Sequence, residues 1–199
     1  MATSVLAAGL TVVGAISCAT SGGAHPEAPS PSREPAGARR APMLPPRPET
    51  LSLARVDPCA LLTSNQTASL GITDSTSSVD NDEGLASPQC LWSNQLGPPD
   101  NGWMIRLNLK QNATVAFRSN DPLVKVVEVA GFPAVQTYPG GSDGQKACIE
   151  VIDVAPSQHM QVFYTNLLGD YPGIDHQVAC QLADRVARLA LANLRRLGS

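Results

Sequence analysis

The stretch WMIRLNLK, residues 103–110, decides the fold. Trp103, Ile105, Leu107 and Leu109 alternate with Met104, Arg106, Asn108 and Lys110. Strict period two predicts a strand with one face on a core and the other toward water, the habit of antiparallel sheets. Upstream, QCLWSN (89–94) is joined to it by the turn-rich QLGPPDNG (95–102), which reads as a hairpin loop. Downstream, VKVVEVAG (124–131) and FPAVQTYP (132–139) read as strands bent around Gly131 and Pro133. ACIEVIDVA (147–155) and HMQVFYTN (159–166) read as a hairpin across Pro156 and Ser157. The polar segment 73–87 reads as a loop with an edge strand, and NATVAFRS (112–119) as a short helix.

Helices flank the strands. VDPCALLTSNQTASLG (56–71) offers Asp57 as N-cap, Pro58 in the first turn and Gly71 to end the helix in the left-handed conformation. Leu61, Leu62 and Leu70 give it an apolar side. DHQVACQLADRVARLALANLRRLG (175–198) is the clearest helix. It sets Ala179, Ala183, Val186, Ala190 and Leu194 near one face with Leu182 and Leu189 beside them. Arg195 and Arg196 suit the helix dipole, and Gly198 closes the end. Helix, strand meander and helix together predict an α+β fold. Its antiparallel β-sheet has about 5–6 strands, with an N-terminal and a long C-terminal helix packed on one face.

Residues 53–197 form one domain in this reading. The 52 residues before it differ in kind. VLAAGLTVVGAI (5–16) is uncharged and apolar, too short to span a bilayer but suited to a signal peptide. It runs into Ala15-Ile16-Ser17-Cys18, which looks like a lipobox in which Cys18 accepts the lipid. Ala15 stands where Leu is usual, and no Lys or Arg precedes the apolar run, which is compatible with translation starting upstream of Met1. We therefore expect a signal peptide over 1–17 and a lipidated Cys with a disordered Pro/Ala-rich tether over 18–52. Its prolines favour extended polyproline II, with a reach of roughly 100 Å at about 3.1 Å per residue. Arg33, Arg39, Arg40 and Arg47 scatter charge along it, and no aromatic residue precedes Trp92.

Four further cysteines, Cys59, Cys90, Cys148 and Cys180, lie in the domain. In an exported chain an even number implies disulfides, and four cysteines allow three pairings. We favour Cys59 with Cys90 and Cys148 with Cys180, because each pair would tie a terminal helix to a strand. No Cys-x-x-Cys occurs and neither His159 nor His176 makes a zinc-like pair with a Cys, so no metal is expected.

DPCALLT, CLW, GFPA, KACIEVIDVA and ACQLADRVARLAL, with the four-cysteine spacing, resemble the domain-of-unknown-function family 3558 over roughly residues 55–195. The resemblance implies an actinobacterial envelope lipoprotein with an α+β domain, and it supplies no catalytic residues. Segment 73–87 carries none of it.

Catalytic chemistry finds little footing. GGSDG (140–144) satisfies G-x-S-x-G around Ser142, but a strand follows where a nucleophile elbow needs a helix. Asp80, Asp82 and Glu83 lack the spaced ladder of a calcium loop. His159 is a candidate general base or ligand, but at the start of a strand after Pro156-Ser157-Gln158 it reads as an exposed strand-edge residue. Trp92 and Trp103, the two tryptophans of the chain, are core candidates. They are also the candidate ligand-facing pair if they line a concave sheet face. A net charge of −3 with no basic stripe excludes nucleic acid as the expected partner. The expected partners are the membrane, through the N-terminal lipid, and an envelope protein, wall component or hydrophobic ligand. No cofactor is expected. The predicted location is the outer face of the cytoplasmic membrane.

Overall fold

The computed structural model describes residues 43–81, 84–94, 100–117, 124–139, 146–167 and 172–198. Its strands are β1 (Asp74–Asp80), β2 (Ser87–Ser93), β3 (Asn101–Asn108), β4 (Lys125–Val129), β5 (Phe132–Thr137), β6 (Ala147–Ala155) and β7 (Gln158–Asn166). They form one seven-stranded sheet in the order β1-β2-β3-β7-β6-β5-β4, every neighbouring pair antiparallel. Two meanders, β1 to β3 and β4 to β7, therefore meet along β3 and β7. The sheet has seven strands rather than the five or six expected, and the edge strand read in the polar segment after residue 73 is β1.

The strand quoted first explains the two faces. Trp103, Ile105 and Leu107 stand opposite Tyr164, Val162 and Met160, and all six are buried. They share the core with the long helix α2 (His176–Leu197). Alternation sends Met104, Arg106 and Asn108 to the other face, opposite Phe163, Gln161 and His159. That face carries a smaller apolar cluster of Ala113, Val135 and Val151, with Leu44, Ala116 and Ile149 against it.

Helix α2 begins where Asp175 caps it, its carboxylate accepting from the Val178 N–H at 2.8 Å. Ala179, Ala183, Ala187 and Ala190 are fully buried. Their small side chains let the helix lie close to β6 and β7.

The N-terminal helix differs from expectation. Instead of one helix over 57–71 there is a 3-10 turn, Pro58–Leu61, and a separate six-residue α1, Ser64–Ser69. Asp57 does cap the first, accepting from the Cys59 N–H at 2.9 Å. The break falls at Leu62, whose backbone is extended (φ −124°, ψ 128°). Leu61 and Leu62 are both buried on either side of this break. Thr63 and Gln66 then make a reciprocal capping box that starts α1 afresh. Gly71 does take the left-handed conformation, at φ +70°. The short helix read over 112–119 is a 3-10 turn, Ala113–Ala116.

Part of the segment read as tether packs on the domain. Leu51 and Leu53 are buried in the main core, and the Leu51 N–H donates to the Val154 carbonyl at 2.8 Å. Arg47 pairs with Asp153 at 2.5 Å, and Arg195 donates to Glu49 at 2.7 Å. Pro-rich composition hid this, because within the stretch read as tether one buried leucine, Leu51, and the Arg47 and Glu49 ion pairs are enough to hold the arm next to Leu53, the first residue of the expected domain. Cys18 and the remainder of the leader and tether lie outside the described residues.

Candidate functional site

The face of the sheet away from α2 holds a cavity of about 560 Å³. Its polar lining comes from Asp80 of β1, Ser87 of β2, Arg106 and Asn108 of β3, and His159 and Gln161 of β7. Its apolar lining comes from Leu85, Val115, Ala116, Ile149 and Val151, with Tyr138 beyond the end of β5. Cavities of this size and mixture suit small ligands.

Arg106 is held on two sides. Its guanidinium pairs with Asp80 at 2.7 Å, and its Nε donates to Gln89 Oε1 at 3.0 Å. The opposing strands supply these partners because Asp80 stands across from Ser87 and Gln89 across from Arg106. Next to them, the Ser87 hydroxyl donates to Asn108 Oδ1 at 3.0 Å.

His159 is buried, only 2% exposed. Its Nδ1 lies 2.8 Å from the Gln111 carbonyl oxygen, which can only accept, so the ring proton sits on Nδ1 and Nε2 is an acceptor. Burial pushes its pKa down, against the Gln111 hydrogen bond, and the nearby Arg106 charge pushes it the same way. The imidazole is therefore neutral at pH 7. The expectation of an exposed strand-edge His159 is corrected. β7 lies between β3 and β6, and the pairing with β3 joins segments that are distant in sequence.

A second cavity of about 450 Å³ opens on the α2 side, lined by Lys125, Gln136, Glu150, His176, Asp184 and Arg188 among others. Glu150 is 1% exposed. Its Oε1 accepts from Gln136 Nε2 at 3.1 Å, while Oε2 has no hydrogen-bond partner among the described residues. Burial is the main reason its pKa is raised to about 7; Asp184 adds to this, while Gln136 and Arg188 oppose it. His176 donates from Nδ1 to the Ala147 carbonyl at 3.0 Å and sets Nε2 3.6 Å from Cys180 Sγ.

The sequence candidates fall as follows. Disulfides join Cys59 to Cys90 and Cys148 to Cys180. The first ties the 3-10 turn Pro58–Leu61 to β2, and the second ties β6 to α2. Trp92 and Trp103 do not face either cavity: both are 3% exposed and lie in the core. They stand opposite one another across β2 and β3, and the Trp103 ring tilts against Tyr164 with centroids 5.5 Å apart. Their burial fits the core reading of the pair rather than the ligand-facing one, and the 560 Å³ cavity lies on the opposite, polar side of β3. Asp80 is Arg106's partner; Asp82, Glu83 and the G-x-S-x-G segment 140–144 lie outside the described residues.

Arg106, Asn108, Gln161 and Glu150 were not singled out from the sequence. The first two sit on the polar beat of WMIRLNLK, which looks like any water-facing side. Glu150 did carry a signal. It shares its strand side with Cys148, Ile152 and Val154, all core residues, so an acid stands where period two demands an apolar group.

Among the described residues no group of three or more His, Cys, Asp or Glu is placed to hold a metal ion. No helix among them is long and apolar enough to cross a membrane. No curated protein and no solved structure matches the chain. One family model does match, over residues 12–193, which is most of the chain. The chain belongs to the family described as protein of unknown function (DUF3558).

Proposed function

We propose that this protein is a membrane-anchored extracytoplasmic lipoprotein whose domain binds a small ligand or partner at the cell envelope without transforming it. The observation that carries the binding reading is the cavity opposite α2, where Arg106, Asn108, His159 and Gln161 converge beside Val115, Ala116, Ile149 and Val151. Cys18 takes the lipid, and the residues after it hold the domain off the outer face of the cytoplasmic membrane. Two disulfides support this location, because such bonds persist in oxidising compartments. His159 works as a neutral acceptor here, with Arg106 engaged by Asp80 and Gln89. Carriage of a lipid or other hydrophobic ligand is a second reading, favoured by the apolar part of the lining, Leu85, Val115, Ala116, Ile149 and Val151 among it.

The mature protein, purified from its own membrane, tests the reading by intact mass. The expected result is a chain beginning at Cys18 with acyl groups attached and four hydrogens gained on reduction. Under native conditions it retains a small molecule that denaturation releases. A soluble, unmodified product would remove the anchor. Turnover of an envelope substrate that is lost on His159→Ala would replace binding with catalysis.

A further inference from the structure

We infer that the cavity takes an uncharged ligand with hydroxyl groups along one side and an apolar portion on the other, the chemistry of an alkyl or aryl glycoside. This rests on the cavity being a ligand site, and its polar lining then fixes the class. The one cation among the described lining residues, Arg106, is already neutralised by Asp80 at 2.7 Å and oriented by Gln89 at 3.0 Å. An anion approaching the guanidinium meets the Asp80 carboxylate, and a cation approaching Asp80 meets Arg106. Neither charge sign gains much.

The other polar groups are neutral. His159, its Nδ1–H held by the Gln111 carbonyl, lines the cavity with Nε2 left as an acceptor. Asn108 has its oxygen engaged by Ser87, which leaves its amide N–H groups as donors. Gln161, directly across from Arg106 and Val151, carries a donor and an acceptor on one side chain. Acceptor, donor and both together, on adjacent strands, match hydroxyl groups, each of which donates and accepts. A buried polar wall of this kind rejects a purely apolar ligand, because its groups would be left unpaired. Leu85, Val115, Ala116, Ile149 and Val151 supply an apolar wall, which water-soluble polyols alone would leave uncovered.

The test uses the full chain carrying Cys18→Ser, so that no acyl group competes for the cavity, with both disulfides formed. Octyl glucoside, octyl sulfate and octyltrimethylammonium share a tail and differ in the charge of the head. Each is titrated below micelle formation while backbone and methyl NMR signals of Asn108, Val151 and His159 are followed. The expected result is saturable shifts at these residues with octyl glucoside, several-fold weaker with both charged amphiphiles. Gln161→Ala, which breaks no hydrogen bond within the described fold, should weaken the glucoside by about fivefold and leave the thermal midpoint unchanged. Equal or tighter binding of a charged head at the same residues overturns the ligand class and leaves the cavity as a site. Silence of these residues toward all three amphiphiles overturns the site itself.

Discussion

Glu150→Gln should turn an acid-stabilised domain into one that is indifferent to pH at this position, and should make it more stable in neutral solution. Glu150 keeps its proton in the folded chain until about pH 7, whereas the unfolded chain releases it near 4.5. Below 4.5 both states hold the proton and Glu150 contributes no pH dependence. As pH rises from 4.5 to 7 the unfolded state is increasingly favoured, and above 7 the loss is complete. A difference of about 2.5 in pKa, at about 1.36 kcal/mol per pH unit, corresponds to roughly 3 kcal/mol. Gln has the shape of the protonated acid and keeps an oxygen for the Gln136 amide, so the two proteins should be nearly equal at pH 4.5. At pH 8 the variant should lead by about 3 kcal/mol. Urea denaturation of both proteins at pH 4.5, 6 and 8 measures this. The difference between them is the quantity to follow, because His159 and Asp153 also titrate. His159, with its lowered pKa, loses stability as pH falls below its ordinary value. Asp153, with its raised pKa, loses stability as pH rises. Both cancel in the difference. A gap that stays constant from pH 4.5 to 8 would refute the reasoning, since Glu150 would then ionise alike in the folded and unfolded chains.

Three other substitutions probe the packing. Cys148→Ser with Cys180→Ser opens a loop with a sequence separation of 32, and chain entropy sets the loss at about 3–4 kcal/mol in urea unfolding. A loss under 1 kcal/mol would mean the crosslink constrains little. Asn193, 3% exposed on α2, donates to the Leu61 carbonyl at 2.8 Å and to Gln66 Oε1 at 2.7 Å. Asn193→Ala leaves that carbonyl without this donor and should cost about 2 kcal/mol, where an ordinary surface change gives about 0.5 or less. Leu53→Ala should cost about 2–4 kcal/mol if the N-terminal arm is part of the core, and almost nothing if the arm is loose.

The sheet was legible in the sequence because WMIRLNLK and ACIEVIDVA alternate cleanly, and α2 because its small and apolar residues keep helical spacing. What was not legible depended on pairing between distant segments. Nothing local says that β7 lies beside β3, so His159 looked like an edge residue and turned out to be central. The same pairing assembles Arg106, Asn108, His159 and Gln161, which are separated by about 50 residues of chain and read singly as solvated. The tryptophans were ambiguous for a different reason. Aromatic side chains suit binding sites and cores equally, and their period-two position already placed Trp103 on the buried side of its strand. The last residues of the segment read as tether were hidden by composition, since Leu51 stands among prolines and charges yet reaches the core beside Leu53.

Native mass measurement on the wild-type protein and on Gln161→Trp, each purified from the membrane of its host, bears most directly on the binding account. Trp at position 161 projects from the central strand β7 into the cavity beside Val151 and Arg106. The account predicts that the wild-type protein retains a small molecule under native conditions, and that the variant, with an unchanged thermal midpoint, retains none. A wild-type protein with no bound mass, or a variant that keeps the same molecule as fully as the wild type, would contradict it.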